Sequence, residues 1–155
     1  MLLGGINHVA TLTKDSDRLI AFYADMFDAE ATRAGDGVVP EGMKLTFIHV
    51  GPTAELNVFE ITGNTESERQ TPMFGRGRID HMGLEAASIE AFETIRDRLV
   101  EAGASDGFVT DFGPVLSVFF TDPDGLEGEV CVPNPDAVPG RVNPPGTPAA
   151  RYHSS

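Results

Sequence analysis

Two histidines stand in matching surroundings at two places in the chain, and together they could hold a metal ion. His8 lies in the run INHVA and His81 in the run IDHMGLE, so that an isoleucine and a polar Asn or Asp precede each histidine. Each run is followed by a stretch of helical periodicity and later by apolar segments that carry a glutamate. Imidazole and carboxylate groups are common ligands of transition metals. The duplicated pattern therefore predicts a metal site shared between two halves of the chain.

Hydrophobic periodicity predicts the elements of the first half. Residues 5–12 are apolar and rich in β-branched side chains, which is typical of a strand. After Ser16, the expected N-cap, apolar residues recur at helical spacing and predict a helix over residues 15–28. Residues 33–43 are rich in glycine and predict a loop or hairpin connection. Residues 44–50 and 56–61 then predict two further strands.

The second half repeats this order of elements. A strand is predicted over residues 78–85, followed by a helix over 88–102 with Ser88 as its N-cap and Gly103 at its end. Further strands are predicted at residues 108–109, 115–120 and 127–132. Between the last two, the sequence DPDG predicts a turn, because proline fixes one φ angle and glycine supplies a positive φ.

These elements predict an α+β fold of two tandem βαβββ modules. The predicted segments are the first module at residues 1–62, a linker at 63–77, the second module at 78–133 and a proline-rich tail at 134–155. The tail has almost no apolar periodicity, so we expect it to wrap a neighbouring surface or to stay disordered.

Composition and charge exclude several classes of function. The chain has 24 acidic and 11 basic residues and a net charge of −13, which disfavours binding to nucleic acid or to an anionic membrane surface. No apolar run approaches the ~20 residues of a spanning helix, and the first residues lack the features of a signal peptide. The single cysteine, Cys131, excludes an internal disulfide framework. We expect a cytoplasmic protein that acts on a small molecule.

The motifs INHVA, IDHMGLE and FTDPDGLEGEV, set in a doubled strand–helix–three-strand order, resemble the vicinal oxygen chelate superfamily. That superfamily includes glyoxalase I, methylmalonyl-CoA epimerase, extradiol dioxygenases, fosfomycin-resistance enzymes and bleomycin-binding proteins. The resemblance covers residues 5–133. It implies that the modules form a cupped, open barrel-like sheet with approximate two-fold symmetry. Because each module alone exposes one sheet face, the two must pack together or exchange between chains, which favours a homodimer.

The resemblance also implies which residues bind the metal. It maps four ligands onto the first and last strands of the modules: His8, Glu60, His81 and Glu129. Glu127 competes with Glu129, because residues two apart face the same side of a strand; the position relative to the turn favours Glu129. Glu55 likewise competes with Glu60, and Glu60 is the weakest assignment of the four. Such a site suits Zn²⁺, Ni²⁺, Co²⁺, Fe²⁺ or Mn²⁺.

Four ligands with two carboxylates favour a glyoxalase-like lyase or isomerase. A metal that binds adjacent substrate oxygens stabilises an enolate or enediolate, while Glu129 or Glu60 takes the proton. Extradiol-type dioxygenases of catechols are the alternative. Their metal site resembles the arrangement of two histidines and one carboxylate, which does not require Glu60 as a ligand. Non-enzymatic drug binding, as in bleomycin-resistance proteins, is the alternative from a different class, although the pair of histidines argues against it.

The remaining chemically active residues are expected to be structural. His49 has no partner in the repeat and is predicted to be structural or exposed, and His153 is predicted to be uninvolved. Cys131 is predicted to act as a small hydrophobic residue rather than a nucleophile. Tyr23 falls on the apolar stripe of the first helix and is predicted to lie in the core.

Overall fold

The computed structural model describes residues 1–2, 4–69, 71–76 and 79–152, and it divides into two compact units, residues 1–70 and 71–155. Within the described residues, each unit carries a four-stranded sheet and one α-helix. The prediction of an α+β chain with two tandem modules is therefore confirmed. The boundary between the two units falls within the predicted linker, so the first part of the linker belongs to one unit and the rest to the other.

The first unit has a mixed sheet. Its elements are strand β1 (His8–Thr13), helix α1 (Ser16–Phe27), strands β2 (Ala31–Arg33), β3 (Met43–His49) and β4 (Glu55–Ile61), and a short 3₁₀ turn (Glu66–Glu68). The strands lie in the order β1-β4-β3-β2. The pair β1–β4 is parallel and the other pairs are antiparallel.

The second unit repeats this topology. Its elements are strand β5 (Met82–Glu85), helix α2 (Ile89–Glu101) and strands β6 (Val109–Asp111), β7 (Val115–Thr121) and β8 (Glu127–Pro133). The strands lie in the order β5-β8-β7-β6, and β5 again pairs with the last strand in parallel. The first and last strands of each module are therefore neighbours, which places the predicted ligands of one module on adjacent strands.

Each sheet has a helix face and an opposite face, because side chains alternate along a strand. In the first unit, Leu56 and Val58 of β4 are buried on the helix face, as is Tyr23 of α1. In the second unit, Val130 of β8 and Phe92 of α2 are buried in the same way. The helix face forms the core, so the opposite face is the one on which a site can be built.

Helix ends follow the predicted capping chemistry with one correction. Ser88 caps α2, its Oγ accepting from the N–H of Ala91 at 3.2 Å, and Gly103 follows the last turn with φ 68°. The N-cap of α1 is Asp15, whose carboxylate accepts from the N–H of Arg18 at 3.0 Å, so Ser16 is the first helical residue rather than the cap.

The proline-rich tail packs on the second unit. Residues 143–149 run antiparallel beside β6: the N–H of Asp111 donates to Thr147 O at 2.8 Å, and the N–H of Ala149 donates to Val109 O at 3.0 Å. Gly113, with φ 100°, lies under the residues just before this segment, where a side chain would collide with the carbonyl of Arg141. Of the two behaviours expected for the tail, the structure shows packing along a neighbouring strand.

Two of the predicted strands begin later than expected. Strand β1 begins at His8 rather than at residue 5, and β5 begins at Met82 rather than at residue 78; Arg78 lies outside the described residues. The segment before β5 is held by side chains instead of by the sheet, since the carboxylate of Asp80 accepts from the N–H of Phe74. None of the helices in the described ranges is long and apolar enough to cross a membrane.

Candidate metal centre

His81 is oriented by the residue before it. Its Nδ1 lies 2.8 Å from Oδ2 of Asp80. Because an ionised carboxylate can only accept, Nδ1 carries the hydrogen and Nε2 keeps its lone pair. The hydrogen bond with His81 is the main reason that the pKa of Asp80 lies below its usual range. This arrangement, in which a carboxylate fixes the tautomer of an imidazole, is typical of histidine ligands of metals.

Glu129 presents one carboxylate oxygen to His81. Its Oε2 accepts from the hydroxyl of buried Ser117 at 2.6 Å, and its Oε1 lies 3.5 Å from His81 Nε2. Two ligand atoms about 2.1 Å from a metal are themselves about 3.0–3.4 Å apart, depending on the coordination angle. The 3.5 Å between His81 Nε2 and Glu129 Oε1 is slightly longer than this spacing, so a small movement of either side chain would let both atoms bind one ion.

Glu127 is engaged elsewhere. Its Oε2 accepts from the guanidinium of Arg76 and, at 3.0 Å, from the N–H of Met73. These contacts tie residues 71–76 to the start of β8. The carboxylate of Glu127 is therefore less available to a ligand than that of Glu129, and the assignment of Glu129 as the metal ligand stays a prediction.

A cavity of about 420 Å³ opens beside this pair in the second unit. The polar residues of its lining are His81, Glu129, Thr110 and Cys131, and the remaining lining residues are apolar or glycine. Phe119 lies against His81, with ring centroids 5.9 Å apart in an edge arrangement. The volume falls within the range of small-molecule sites.

His8 is oriented in the same way as His81. Its Nδ1 lies 2.8 Å from Oδ1 of Asn7, an oxygen that can only accept, so Nε2 is again left free. His8 is exposed. The Asn or Asp that precedes each histidine thus orients its imidazole, a role that the sequence analysis did not assign, although both residues were visible in the two motifs.

Glu60 lies away from His8, contrary to what the mapping of four ligands implied. In the parallel pair, His8 is opposite Glu55, whereas Glu60 is opposite Thr13. Five residues along a strand correspond to about 16 Å and to the other face of the sheet. Within the first unit, the structure therefore does not bring Glu60 and His8 together.

Glu60 instead supports the start of α1. Its Oε2 accepts from the N–H and the hydroxyl of Ser16 at 2.9 and 2.7 Å, and Lys44 Nζ lies 2.6 Å from its Oε1. Burial alone would raise the pKa of Glu60, but the hydrogen bonds from Lys44 and Ser16 outweigh it and lower the pKa to about 2. A negative charge at the N-terminus of a helix is also favoured by the helix dipole.

The strand register identifies which residues of the first unit correspond to Glu129 and Glu127 in the second. Glu129 is opposite Gly83, two residues beyond His81, and the corresponding position in the first unit is Asn57, opposite Ala10. Asn57 Oδ1 is buried without a hydrogen-bond partner in the described part of the chain. Glu55 is the counterpart of Glu127 and lies beside His8 and His49 in register.

The other candidates behave as structural residues. Tyr23 is fully buried in the core, as predicted. His49 is exposed, with Nδ1 3.6 Å from Glu55 Oε2. Burial and the nearby charge of Glu129 raise the pKa of Cys131 to about 11, so its thiol is protonated at neutral pH. His153 lies outside the described residues.

Metal-ligating side chains come together as pairs. Across residues 1–2, 4–69, 71–76 and 79–152, no group of three or more His, Cys, Asp or Glu side chains is placed to hold an ion. The best-formed pair is His81 with Glu129, and the donor set, one imidazole nitrogen and one carboxylate oxygen, suits a divalent transition metal.

A sequence profile of the Glyoxalase/Bleomycin resistance protein/Dioxygenase superfamily matches residues 5–130. The chain belongs to this superfamily. The match spans both units of this glyoxalase-superfamily protein and ends one residue beyond Glu129. The resemblance drawn from the motifs is thereby confirmed. No curated protein sequence matches the chain significantly.

Solved structures share the fold at low sequence identity. A glyoxylase/bleomycin resistance protein/dioxygenase domain from Frankia sp. EAN1pec is 19% identical, with a TM-score of 0.67 over 86% of this chain and 95% of that one. Lactoylglutathione lyase from Agrobacterium tumefaciens is 22% identical, with a TM-score of 0.59 over 85% and 96%. A mutant of the fosfomycin resistance protein FosX from Listeria monocytogenes, complexed with Mn(II) and 1S,2S-dihydroxypropylphosphonic acid, is 20% identical, with a TM-score of 0.60 over 83% and 92%. These likenesses show the glyoxalase-superfamily fold.

Proposed function

We propose that this protein is a metal-dependent enzyme that binds a small substrate through two neighbouring oxygens. The observation that carries the proposal is the pair His81 and Glu129. Their free atoms lie 3.5 Å apart at the polar end of a cavity, and Asp80 and Ser117 hold the rest of each side chain. Zn²⁺, Ni²⁺, Co²⁺, Fe²⁺ and Mn²⁺ all accept such donors.

His8 is the proposed third ligand. It stands at the same place in its module as His81, its Nε2 is left free by Asn7, and its side chain is exposed. That both modules contribute to one site stays a prediction, as does the homodimer. Glu60 is not retained in the proposed set, because it lies on the helix face and is bound by Ser16 and Lys44.

This set favours extradiol-type cleavage of a catechol over the lyase or isomerase chemistry that four ligands would favour. Two histidines and one carboxylate form the ligand set of non-haem iron oxygenases. A bound ion would hold two vicinal oxygens and polarise them. The protein's own part is to keep His81 and Glu129 in place through Asp80 and Ser117, while the ring of Phe119 packs against the imidazole of His81.

Lyase or isomerase chemistry remains a second candidate, and one observation supports it. Glu129 Oε1 accepts no hydrogen bond from Ser117 and faces the cavity, so it could take a proton from a carbon next to a carbonyl. In this reaction Glu129 would be both a ligand and the general base.

Metal analysis followed by two assays tests the proposal. Purified protein loaded anaerobically with Fe²⁺ is mixed with catechols and O₂, and ring cleavage is followed by absorbance. In parallel, protein loaded with Zn²⁺, Ni²⁺ or Mn²⁺ is assayed with hemithioacetals of 2-oxoaldehydes. Ring cleavage supports the first reaction, and turnover of hemithioacetals with no ring cleavage supports the second. A protein that binds no divalent metal would contradict both and favour a binding protein.

A further inference from the structure

Arg76, in the linker, donates hydrogen bonds to three places in the second unit. Its Nη2 donates to the carboxylate of Glu127 at the start of β8, its Nη1 to the carbonyl of Asp80 at 3.0 Å, and its Nε to the carbonyl of Thr71. The side chain is only 13% exposed. Because a guanidinium presents its N–H groups in a planar, rigid fork, it can hold several acceptors in fixed relative positions. Arg76 therefore holds the loop of residues 71–76 against β8 and against the segment before β5.

The loop itself contains a turn with an unfavourable backbone conformation. The N–H of Gly75 donates to Pro72 O at 3.0 Å, which closes the turn. Within it, Phe74 has φ 65°, in the left-handed region that bulky residues rarely adopt. Such a conformation persists only where surrounding contacts impose it. The conformation of this loop therefore depends on the contacts that hold its two ends.

The carboxylate of Asp80 connects this loop to His81. Its Oδ1 accepts from the N–H of Phe74, and its Oδ2 lies 2.8 Å from Nδ1 of His81. One planar carboxylate thus serves the loop with one oxygen and the imidazole with the other. If the loop moved, the carboxylate would have to rotate or to lose one of these two hydrogen bonds. The position of the loop therefore affects which nitrogen of His81 carries the hydrogen.

Arg76 has no direct route to an ion held by His81 and Glu129. Among the described residues, the lining of the cavity includes Met73 and Phe74 of the loop but not Arg76. The positive charge of Arg76 is also compensated by Glu127, with which it forms an ion pair. Any effect of Arg76 on the site must therefore pass through the loop and Asp80.

We infer that Arg76 is a positioning residue for His81 and that it acts through Asp80. Arg76 keeps the loop of residues 71–76 in place, and the loop keeps the carboxylate of Asp80 directed at Nδ1 of His81. This arrangement fixes the tautomer that leaves Nε2 free. The consequence for metal affinity rests on the proposed function, whereas the consequence for the tautomer does not, because it holds in metal-free protein.

Arg76→Lys tests this role without removing the positive charge, since an ammonium group lacks the planar fork that reaches three acceptors. The ¹⁵N chemical shifts of the His81 imidazole are measured in the metal-free full chain, at a pH where the ring is neutral. We expect a single tautomer with the hydrogen on Nδ1 in the wild type, and a mixture of both tautomers in the variant.

Arg69→Lys is the matched control. Arg69 also belongs to the predicted linker and also binds a glutamate, Glu66 at 2.9 Å, but it lies in the first unit and its side chain is 75% exposed. The ¹⁵N shifts of His81 should be the same in this variant as in the wild type. A change of equal size in Arg69→Lys and Arg76→Lys would contradict a specific role for Arg76.

A double-mutant cycle separates positioning from a general effect on stability. Arg76→Lys should weaken Zn²⁺ binding about tenfold, at the lower end of what changes to the outer partners of metal ligands cause. The same change made in Asp80→Ala should have little further effect, because the connection to His81 is already lost in that background. Calorimetric titration measures the four affinities, and urea unfolding measures the stability of each protein.

The outcomes distinguish failure of this inference from failure of the proposed function. An unchanged His81 tautomer in folded Arg76→Lys would overturn the positioning role, as would losses of affinity that add in the cycle. A tautomer that responds to Arg76→Lys, in a protein whose wild type binds no divalent ion, would support the positioning role and contradict the proposed function.

A second variant covers the case in which Arg76→Lys does not fold. Glu127→Ala removes the acceptor shared by Arg76 and the N–H of Met73, while the other two acceptors of Arg76 remain. It should shift the tautomer of His81 in the same direction but by less. Because the measurement is made on metal-free protein, the loss of a carboxylate that could bind metal has no part in it. An unchanged tautomer in this variant would likewise overturn the inference.

Discussion

In the second unit, Glu129 pairs with Gly83, two residues beyond His81, and its carboxylate faces that histidine. In the first unit, the residue at the corresponding position is Asn57, which pairs with Ala10. Both units orient the histidine itself in the same way, through Asp80 or Asn7. The two modules thus share a strand topology and a histidine, and differ in whether a carboxylate or an amide occupies this position of the register. In the second unit a carboxylate therefore lies within 3.5 Å of the oriented histidine, whereas the first unit has an amide at the corresponding position.

The turns that precede the last strands differ in a related way. In the second unit, Asp122 is buried and accepts from the N–H groups of Asp124 and Leu126, both at 2.9 Å. In the first unit, Val50 occupies the corresponding place, and its N–H donates to Ala54 O at 3.1 Å. Both turns are closed by a backbone hydrogen bond, since the N–H of Asp122 donates to Leu126 O at 2.9 Å, but the second-unit turn adds a buried carboxylate. The stabilities of the two modules should therefore respond differently to pH.

The largest expected effect comes from removing a histidine. His81→Ala should weaken binding of a divalent metal on the order of 100-fold or more, because it removes a ligand. His8→Ala should do the same if the first unit contributes its histidine, and His49→Ala is the matched control that should leave affinity unchanged. Calorimetric titration with Zn²⁺ or Mn²⁺ measures all three. Full affinity in His81→Ala would show that the site lies elsewhere.

Two glutamate variants test the register next. Glu129→Gln should lower metal affinity on the order of 10-fold to 100-fold, since a neutral amide oxygen is a poorer ligand than a carboxylate. Glu60→Gln should leave metal affinity unchanged, because Glu60 is bound to Ser16 and Lys44 on the helix face. The reverse result, with Glu60→Gln impaired and Glu129→Gln intact, would contradict the strand register.

A smaller effect is expected when both histidines are given the same kind of hydrogen-bond partner. Asp80→Asn gives His81 the same kind of partner that His8 has in Asn7, so the tautomer is kept while the negative charge is lost. Changes to such outer partners typically alter metal affinity about 10-fold to 100-fold; we expect the lower end here. Metal titration provides the affinity, and ¹⁵N chemical shifts of the imidazole report whether Nδ1 still carries the hydrogen.

Glu60→Gln should also destabilise the first unit, by about 1–2 kcal/mol at neutral pH, through loss of charge-assisted hydrogen bonds to Ser16 and Lys44. The pKa of Glu60 is about 2 in the folded chain against a usual 4.5, so the unfolded chain takes up the proton first as pH falls. Its contribution is therefore full above pH 4.5 and is lost towards pH 2. Urea unfolding at pH 7 and pH 3 should show a smaller difference between variant and wild type at pH 3.

Asp122→Asn should change the pH dependence of stability with the opposite sign. Burial raises the pKa of Asp122 to about 6 from a usual 3.8, although the N–H donors of Leu126 and Asp124 partly oppose this. The folded chain thus takes up the proton first, and this group makes stability fall as pH rises from about 4 to 6, by at most ~1.4 kcal/mol per pH unit. In the variant, the free energy of unfolding should no longer fall between about pH 4 and pH 6. Urea unfolding at several pH values in this range measures it. An unchanged slope would exclude Asp122 as its source.

The fold was predictable because each of its signals is local. The apolar stripes gave both helices, and Ser88, Gly103 and the DPDG turn marked ends that the structure retains. Local signals were less decisive where two adjacent residues could both cap the same helix. Asp15 and Ser16 are both good N-caps, and the structure uses Asp15 as the cap while Ser16 contacts Glu60.

The candidate site was predictable only in part, since it depends on the register between strands. Glu55 and Glu60 are five residues apart and so lie on opposite faces of β4, but the sequence does not tell which face His8 shares. Glu127 and Glu129 lie on the same face, and the choice between them depends on Arg76, about fifty residues away in the chain. Such long-range partners leave no periodic trace in the sequence.

The tail that runs beside β6 also covers an outer edge of the second sheet. An outer strand exposes a row of unpaired N–H and C=O groups, which can template aggregation by accepting a strand from another molecule. Residues 143–149 occupy that row along β6, whereas β2, the corresponding strand of the first unit, has no such cover among the described residues and is only three residues long. The proline-rich tail is therefore a built-in barrier to intermolecular sheet growth, and prolines are well suited to it because they lack the N–H that would extend the sheet further.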